Sequence, residues 1–173
     1  MTGLIHLYWG DGKGKTSAAL GLALRAAGAG MKVLFVQFLK DGSSPEMALL
    51  DRLGMETACC PNIRKFVFQM TEEERRQAGA EYSHLLSSAL RRCRAVGFGL
   101  LVLDEIVPSC ALGLVSEEEL TAFLRSKPAG LEVVLTGREP SPALLELADY
   151  STEMKKHRHP YDRGVHARKG IEF

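Results

Sequence analysis

Four stretches of strand length in this chain run almost without polar interruption: Leu4–Trp9 (LIHLYW), Lys32–Phe38 (KVLFVQF), Gly99–Glu105 (GLLVLDE) and Leu131–Gly137 (LEVVLTG). A strand with one wet face alternates apolar and polar residues. A near-continuous apolar run belongs to a strand covered on both faces, as in a parallel sheet packed between helices. Helical patterns lie between the runs. The segment from Lys15 is rich in Ala and Leu and closes on Gly28 and Gly30, which act as stop signals. A second begins at Thr71, with Glu74 three residues on in capping-box spacing, and places Ala78, Tyr82, Leu85, Ala89 and Cys93 on one helical face. Ser116 and Glu119 repeat the capping signature. With right-handed crossovers, the alternation predicts an α/β fold with a doubly wound, mainly parallel sheet, in one domain over residues 1–173. The FVF segment, Phe66–Phe68, reads on periodicity as a short core strand.

The chain of 173 residues is long enough to bury a real core. Its 22 Lys and Arg against 21 Asp and Glu leave a net charge of +1, which argues against a nucleic-acid partner. No apolar run approaches the roughly 20 residues of a membrane span, and the N-terminus lacks the pattern of a signal peptide. Cys59, Cys60, Cys93 and Cys110 form no C-x-x-C pair and read as reduced thiols, so a cytoplasmic location is expected.

The chemistry concentrates where ligands bind in such sheets, beyond the carboxyl ends of the strands. After the first strand comes Gly10-Asp11-Gly12-Lys13-Gly14-Lys15-Thr16-Ser17, at the start of the first long helix. Glycines let backbone N–H groups turn toward an anion, and the helix N-terminus adds free donors and partial positive charge. Lys15 would reach phosphate oxygens, and Thr16 would offer its hydroxyl to Mg²⁺. Lys13 adds a second cation. The general G-x-x-x-x-G-K-[ST] pattern places a glycine where this chain has Trp9.

A second element supports the phosphate reading. The strand LLVLD ends in Asp104-Glu105, like the acidic strand ends that hold Mg²⁺ in phosphate-loop proteins. Glu105 can serve as a base that activates water or as an acceptor near the metal; the spacing allows either. Arg138, after the strand LEVVLTG, can stabilise phosphate charge or lie on the surface. The tail from Met154 carries six basic residues between Lys155 and Lys169, read as a solvated edge by default and as an anion contact in the sharper alternative. His157, His159 and His166 have no carboxylate or Cys partner at metal-site spacing. From the residues alone, the chain is a Mg²⁺-nucleoside triphosphate protein with a doubly wound fold.

In the order GDGKGKTSAALGLALRAAG, VLFVQFLK, LLVLDEI, VVLTGR, LLELADYSTEM and HPYDRGVHARKGIEF, the chain resembles the ATP:corrinoid adenosyltransferases of the phosphate-loop type, also called cob(I)alamin adenosyltransferases. The resemblance covers nearly the whole chain. It implies a three-layer phosphate-loop NTPase fold of RecA-like type and makes the absence of glycine at Trp9 a mark of the subclass. It also implies a reaction: the Co(I) of a reduced corrinoid attacks the 5′ carbon of ATP, a cobalt–carbon bond forms, and triphosphate leaves. Gly10, Asp11, Gly12, Lys13, Gly14, Lys15, Thr16, Ser17 and Arg138 would then hold the triphosphate. Mg²⁺ or Mn²⁺ would sit between Thr16, Asp104 and Glu105, with Lys15, Thr16 and Glu105 as the catalytic set. The family binds ATP in the direction opposite to other phosphate-loop enzymes, so Glu105 becomes a metal ligand rather than a base for water. The family pattern F-x-W before the long helix, which places aromatic rings against the corrin, matches Phe66 and Phe68 here. Where the family loop has Asn, this chain has Asp11, a negative charge that must point away from phosphate. Many family members carry an N-terminal extension that closes over a partner's site; this chain begins at its first strand, so the expectation is that either it lacks that lid or another segment covers the corrin. A reductase such as a flavoprotein and a homodimer are also implied.

Two rival readings remain beside adenosyl transfer. One is a kinase or NTPase that transfers or hydrolyses the γ-phosphate, with Glu105 activating the nucleophile. The other is a non-catalytic nucleotide-binding module, for which the chain has no basic stripe.

Overall fold

The computed structural model describes residues 2–63 and 65–172. Its centre is a six-stranded sheet built from β1 (Ile5–Trp9), β2 (Val33–Gln37), β3 (Glu56–Ala58), β4 (Leu100–Asp104), β5 (Glu132–Thr136) and β6 (Tyr150–Glu153). The strands lie in the order β3-β2-β4-β5-β1-β6. Every neighbouring pair is parallel, so all six carboxyl ends face the same edge.

Side chains alternate between the two faces, and both faces are buried. Val33 and Phe35 of β2, Leu100 and Val102 of β4 and Val134 of β5 pack under α1 (Lys15–Gly28) and α2 (Pro45–Arg52). Leu34 and Val36, Leu101 and Leu103, Val133 and Leu135 pack on the other side. There they meet α3 (Glu72–Val96), α4 (Ile106–Ala111), α5 (Glu117–Ser126) and α6 (Pro142–Leu147). The three layers follow from that double coverage, and the expected doubly wound α/β fold is what the chain forms. Helix α1 meets the sheet through Ala19, Ala23 and Ala26, side chains small enough to bring its axis close.

Local signals account for most helix ends. Thr71 and Glu74 form a full capping box at the start of α3, satisfying two amide donors that the helix cannot. At α5 only half of the signature forms. Ser116 accepts from the Glu119 amide, while the Glu119 carboxylate takes the Ser87 hydroxyl of α3 instead. Along α3, Ala78, Tyr82, Ala89 and Cys93 are buried as expected, but Leu86 takes the fully buried place assigned to Leu85. Leu85 is only partly covered at the margin of that core.

The FVF segment departs from its expectation. Val67–Gln69 is a 3₁₀ turn, and Phe66 and Phe68 are 65% and 83% exposed. Their rings stack on each other 5.5 Å apart. Apolar alternation over three residues produced the strand reading, but Phe66–Phe68 pairs with no strand of the sheet. The edge strands β3 and β6 carried no such signal: ETA and YSTE are mostly polar and lie at the margins of the sheet. All four cysteines are free thiols.

Candidate active site

The carboxyl ends of β1, β2, β4 and β5 converge on one cleft of about 710 Å³, within the range of a nucleotide or cofactor site. Its polar half comprises Lys13, Lys15, Thr16, Ser17, Glu105 and Arg138. Lys40, after β2, adds a further cation, and Leu20, Leu49 and Ile171 supply an apolar wall. The structure thus brings together most of the residues singled out from sequence.

The loop between β1 and α1 is shaped by the strand beside it. Gly10 and Gly14 have φ of 111° and 114°, a region side chains avoid. A Cβ on Gly10 or Gly12 would come within 2.5 or 2.7 Å of the Met154 carbonyl oxygen. These two glycines therefore also serve the passage of the chain leaving β6. The Gly12 amide is not left for an anion, because it donates to the Met154 carbonyl at 2.7 Å. Asp11 is turned aside in a related way. Its carboxylate accepts from the Lys156 amide at 2.9 Å and is turned into a side recess, away from the main cleft. That hydrogen bond holds its pKa below the usual carboxylate value. The extra negative charge thus points away from the main cleft.

Lys15 is nearly buried, and its ammonium donates to the carbonyls of Gly10 and Gly12, each at 2.8 Å. Burial lowers its pKa from the ordinary lysine value, and the Glu105 carboxylate pulls it back up. The side chain spans its own loop and keeps a cation at the N-terminus of α1.

Asp104 is the hub of the site. It is wholly buried, and its two oxygens accept four donors. Oδ1 takes the hydroxyls of Thr16 and Thr136, each at 2.8 Å. Oδ2 takes the Gln37 amide at 3.4 Å and the Lys40 ammonium at 3.3 Å. Thr136 also accepts from the Glu105 backbone amide at 2.8 Å. This one hydroxyl ties the two acidic residues together, and it can do so because β5 lies between β1 and β4.

Leu39 and Glu105 are the two non-glycine residues with positive φ among the described residues, at 57° and 59°. Left-handed backbone costs a side-chain-bearing residue roughly 1–2 kcal/mol. Both strained residues flank the hub: Leu39 precedes Lys40, and Glu105 follows Asp104. Burial, then the neighbouring Asp104 charge, pushes the Glu105 pKa up, against the pull of Lys40, Lys15 and Arg138.

Sequence reasoning missed Thr136, Gln37 and Lys40, although VQFLK and VVLTGR both ended strands at this edge. The tail is the other addition. Ala167, Gly170, Ile171 and Glu172 line the cleft, and the Glu172 carboxylate meets the Lys13 ammonium at 3.0 Å. Arg168 donates to both oxygens of that carboxylate. The tail is thus a wall of the cleft; its closing Phe173 lies outside the described residues. Phe66 and Phe68 are not among the residues lining the cleft. No group of three His, Cys, Asp or Glu side chains forms a metal site among the described residues, so the three tail histidines do not gather.

The sequence of residues 1–173 matches the family model described as ATP:corrinoid adenosyltransferase BtuR/CobO/CobP. A corrinoid adenosyltransferase of Pseudomonas aeruginosa is 36% identical over 99% of this chain and 84% of its own length. One from Escherichia coli is 34% identical over 99% of this chain and 86% of its own. One from Salmonella typhimurium is also 34% identical, with the same coverage of 99% and 86%. Among solved structures, a KaiC-like protein of Pyrococcus horikoshii superposes with a TM-score of 0.52 at 19% identity, covering 91% of this chain and 75% of that one. That likeness concerns the fold.

Proposed function

This chain belongs to the ATP:corrinoid adenosyltransferase family, and on that premise we propose how its cleft carries out adenosyl transfer from ATP to a reduced corrinoid. The observation that carries the reading is the gathering of Lys13, Lys15, Lys40 and Arg138 around the N-terminus of α1 in one cleft of nucleotide size. The reaction expels triphosphate, so the group that most needs stabilisation is an anion that gains charge as the C5′–O bond breaks. Fixed cations and amide dipoles aimed at that charge lower the barrier without reorganising.

The Co(I) centre of the corrinoid supplies the electron pair of the new cobalt–carbon bond, and the pair of the C5′–O bond leaves with triphosphate. No proton is removed from the nucleophile. Glu105 therefore acts as an oxygen ligand, and the kinase reading, which needs a base there, is not favoured. The protein's remaining task is to hold C5′ in line with cobalt, which alone can supply several kcal/mol. ATP lies with its triphosphate at Lys13, Gly14, Lys15, Thr16 and Ser17, in the reversed direction that leaves its ribose end at the reacting position.

A divalent cation fits this donor set. Thr16, Asp104 and Glu105 offer hard oxygens, the kind that Mg²⁺ takes. Beside them Gln37 Oε1 is a buried acceptor with no hydrogen-bond partner among the described residues, a place for a metal-bound water to donate. Thr16 and Glu105 would hold Mg²⁺ or Mn²⁺, with Asp104 orienting the Thr16 hydroxyl. The cation supplies charge neutralisation on the triphosphate.

Phe66 and Phe68 present an exposed stacked pair, suited to a flat corrin face. A flavoprotein reductase that delivers the electron to Co(II), and a homodimer, complete the reading. The chain works as one domain in the cytoplasm; its thiols are free, and among the described residues no helix is long and apolar enough to cross a membrane.

Product analysis tests the proposal. Protein incubated with ATP, Mg²⁺ and chemically reduced corrinoid should yield adenosylcorrinoid and intact triphosphate in equal amounts. ADP and phosphate formed without corrinoid, with no cobalt–carbon product, would replace adenosyl transfer with phosphoryl transfer.

A further inference from the structure

Lys40 has two claims on its charge. Its ammonium lies 3.3 Å from Asp104 Oδ2, yet its side chain also lines the cleft in which the triphosphate is placed. The contact with Asp104 is neither short nor sealed: about a third of the Lys40 side chain is accessible, while the Asp104 side chain is fully buried. A charge so placed is held but can leave.

Asp104 can also let it go. Without Lys40, the carboxylate keeps the hydroxyls of Thr16 and Thr136 on Oδ1 and the Gln37 amide on Oδ2. The Gln37 contact is long at 3.4 Å and shares Oδ2 with the lysine, so it has room to tighten. The other end of the same amide, Gln37 Oε1, is buried and without a partner among the described residues. A hydrogen-bond donor is therefore still owed beside Asp104, and the water shell of a hydrated cation would supply one.

An ammonium on Oδ2 and a divalent cation held by Thr16 and Glu105 repel each other at such close quarters. The incoming triphosphate offers the ammonium a stronger partner, since charge-assisted bonds to phosphate oxygens are among the strongest available. We propose that Lys40 is a displaceable cation, which neutralises Asp104 in the nucleotide-free protein and transfers to a triphosphate oxygen when the metal–ATP complex enters. This rests on the reading of the cleft given under Proposed function. It makes Lys40 a positioning residue whose charge follows the leaving group, and it links metal binding to triphosphate binding through one side chain.

The proposal predicts effects of opposite sign from one substitution. In Lys40→Met, Mn²⁺ binding to the nucleotide-free protein, followed by electron paramagnetic resonance, should tighten roughly two- to fivefold, because a competing cation of ion-pair strength is gone. Inorganic triphosphate binding with Mg²⁺ present, followed by calorimetry, should weaken about tenfold, the loss of one charge-assisted contact. Lys40→Arg keeps the charge but not the compact ammonium, and should fall between the parent and Lys40→Met on both measures. If triphosphate affinity in Lys40→Met is unchanged, or if Mn²⁺ affinity falls along with it, Lys40 does not move between the two partners. If the parent protein itself binds neither ATP nor triphosphate, the reading of the cleft falls, and the proposal falls with it.

Discussion

Thr136→Val isolates the hydroxyl that joins the two acidic residues. Thr136 is fully buried, and valine has nearly its shape, so packing is kept while two hydrogen bonds are lost. The bond to Asp104 Oδ1 at 2.8 Å is charge-assisted and worth roughly 1.5–3 kcal/mol. The Glu105 amide, which donates to the Thr136 hydroxyl oxygen at 2.8 Å, is left without that acceptor at roughly 1–3 kcal/mol. Asp104 retains its other donors and can take back part of the loss, so a net destabilisation of about 2–4 kcal/mol is expected. For a chain of this length that lowers Tm by roughly 4–16 °C. Thr136→Ser keeps the hydroxyl and drops a methyl, which costs about 1 kcal/mol. Urea unfolding of the nucleotide-free proteins should rank valine well below serine. A valine variant within about 0.5 kcal/mol of the parent would refute the bridging role of Thr136 and the hub assigned to Asp104.

Phe68→Ala should spare turnover with pre-formed Co(I) corrinoid and slow turnover that starts from Co(II); equal losses from both starting states would remove the aromatic pair from the reduction step. The contact of Glu172 with the loop should depend on acid. The Arg168 guanidinium, the Arg168 amide and the Lys13 ammonium hold the Glu172 pKa at about 2, below its ordinary 4.5. A depressed carboxylate pKa means that the docking it supports is full above about 4.5 and is lost as pH falls toward 2. Hydrogen exchange of residues 165–172 should rise across that window in the parent and be high and pH-independent in Glu172→Gln once intrinsic exchange rates are factored out; a flat parent profile would contradict the contact.

Side chains at the carboxyl edge divide by how far their role depends on neighbours in space. Lys15 and Thr16 were legible because a loop between a strand and a helix dictates what such residues face, and that loop is continuous in sequence; Glu105 was legible because it follows the end of an apolar strand at the same edge. Lys40, Gln37 and Thr136 were not. Each ends or follows a different strand, and nothing in VQFLK or VVLTGR says that β2 and β5 lie on either side of β4. The same distance in sequence hid the turn of Asp11 toward Lys156 and the hydrogen bond between Gly12 and Met154, since both depend on β6 pairing beside β1.

What the sequence determined by itself is therefore the layered parallel sheet and the phosphate-type loop. Double-sided burial writes near-continuous apolar runs into the central strands, and an anion site at a helix end needs only local glycines and a lysine. Tertiary structure decided the rest. It set the order of the strands, so that one threonine bridges two acids. It exposed Phe66 and Phe68, whose three-residue pattern mimics a strand but forms a 3₁₀ turn outside the sheet. It also laid the tail against the cleft, because the pairing of Lys13 with Glu172 joins charges that lie at opposite ends of the chain and meet only after the sheet has formed.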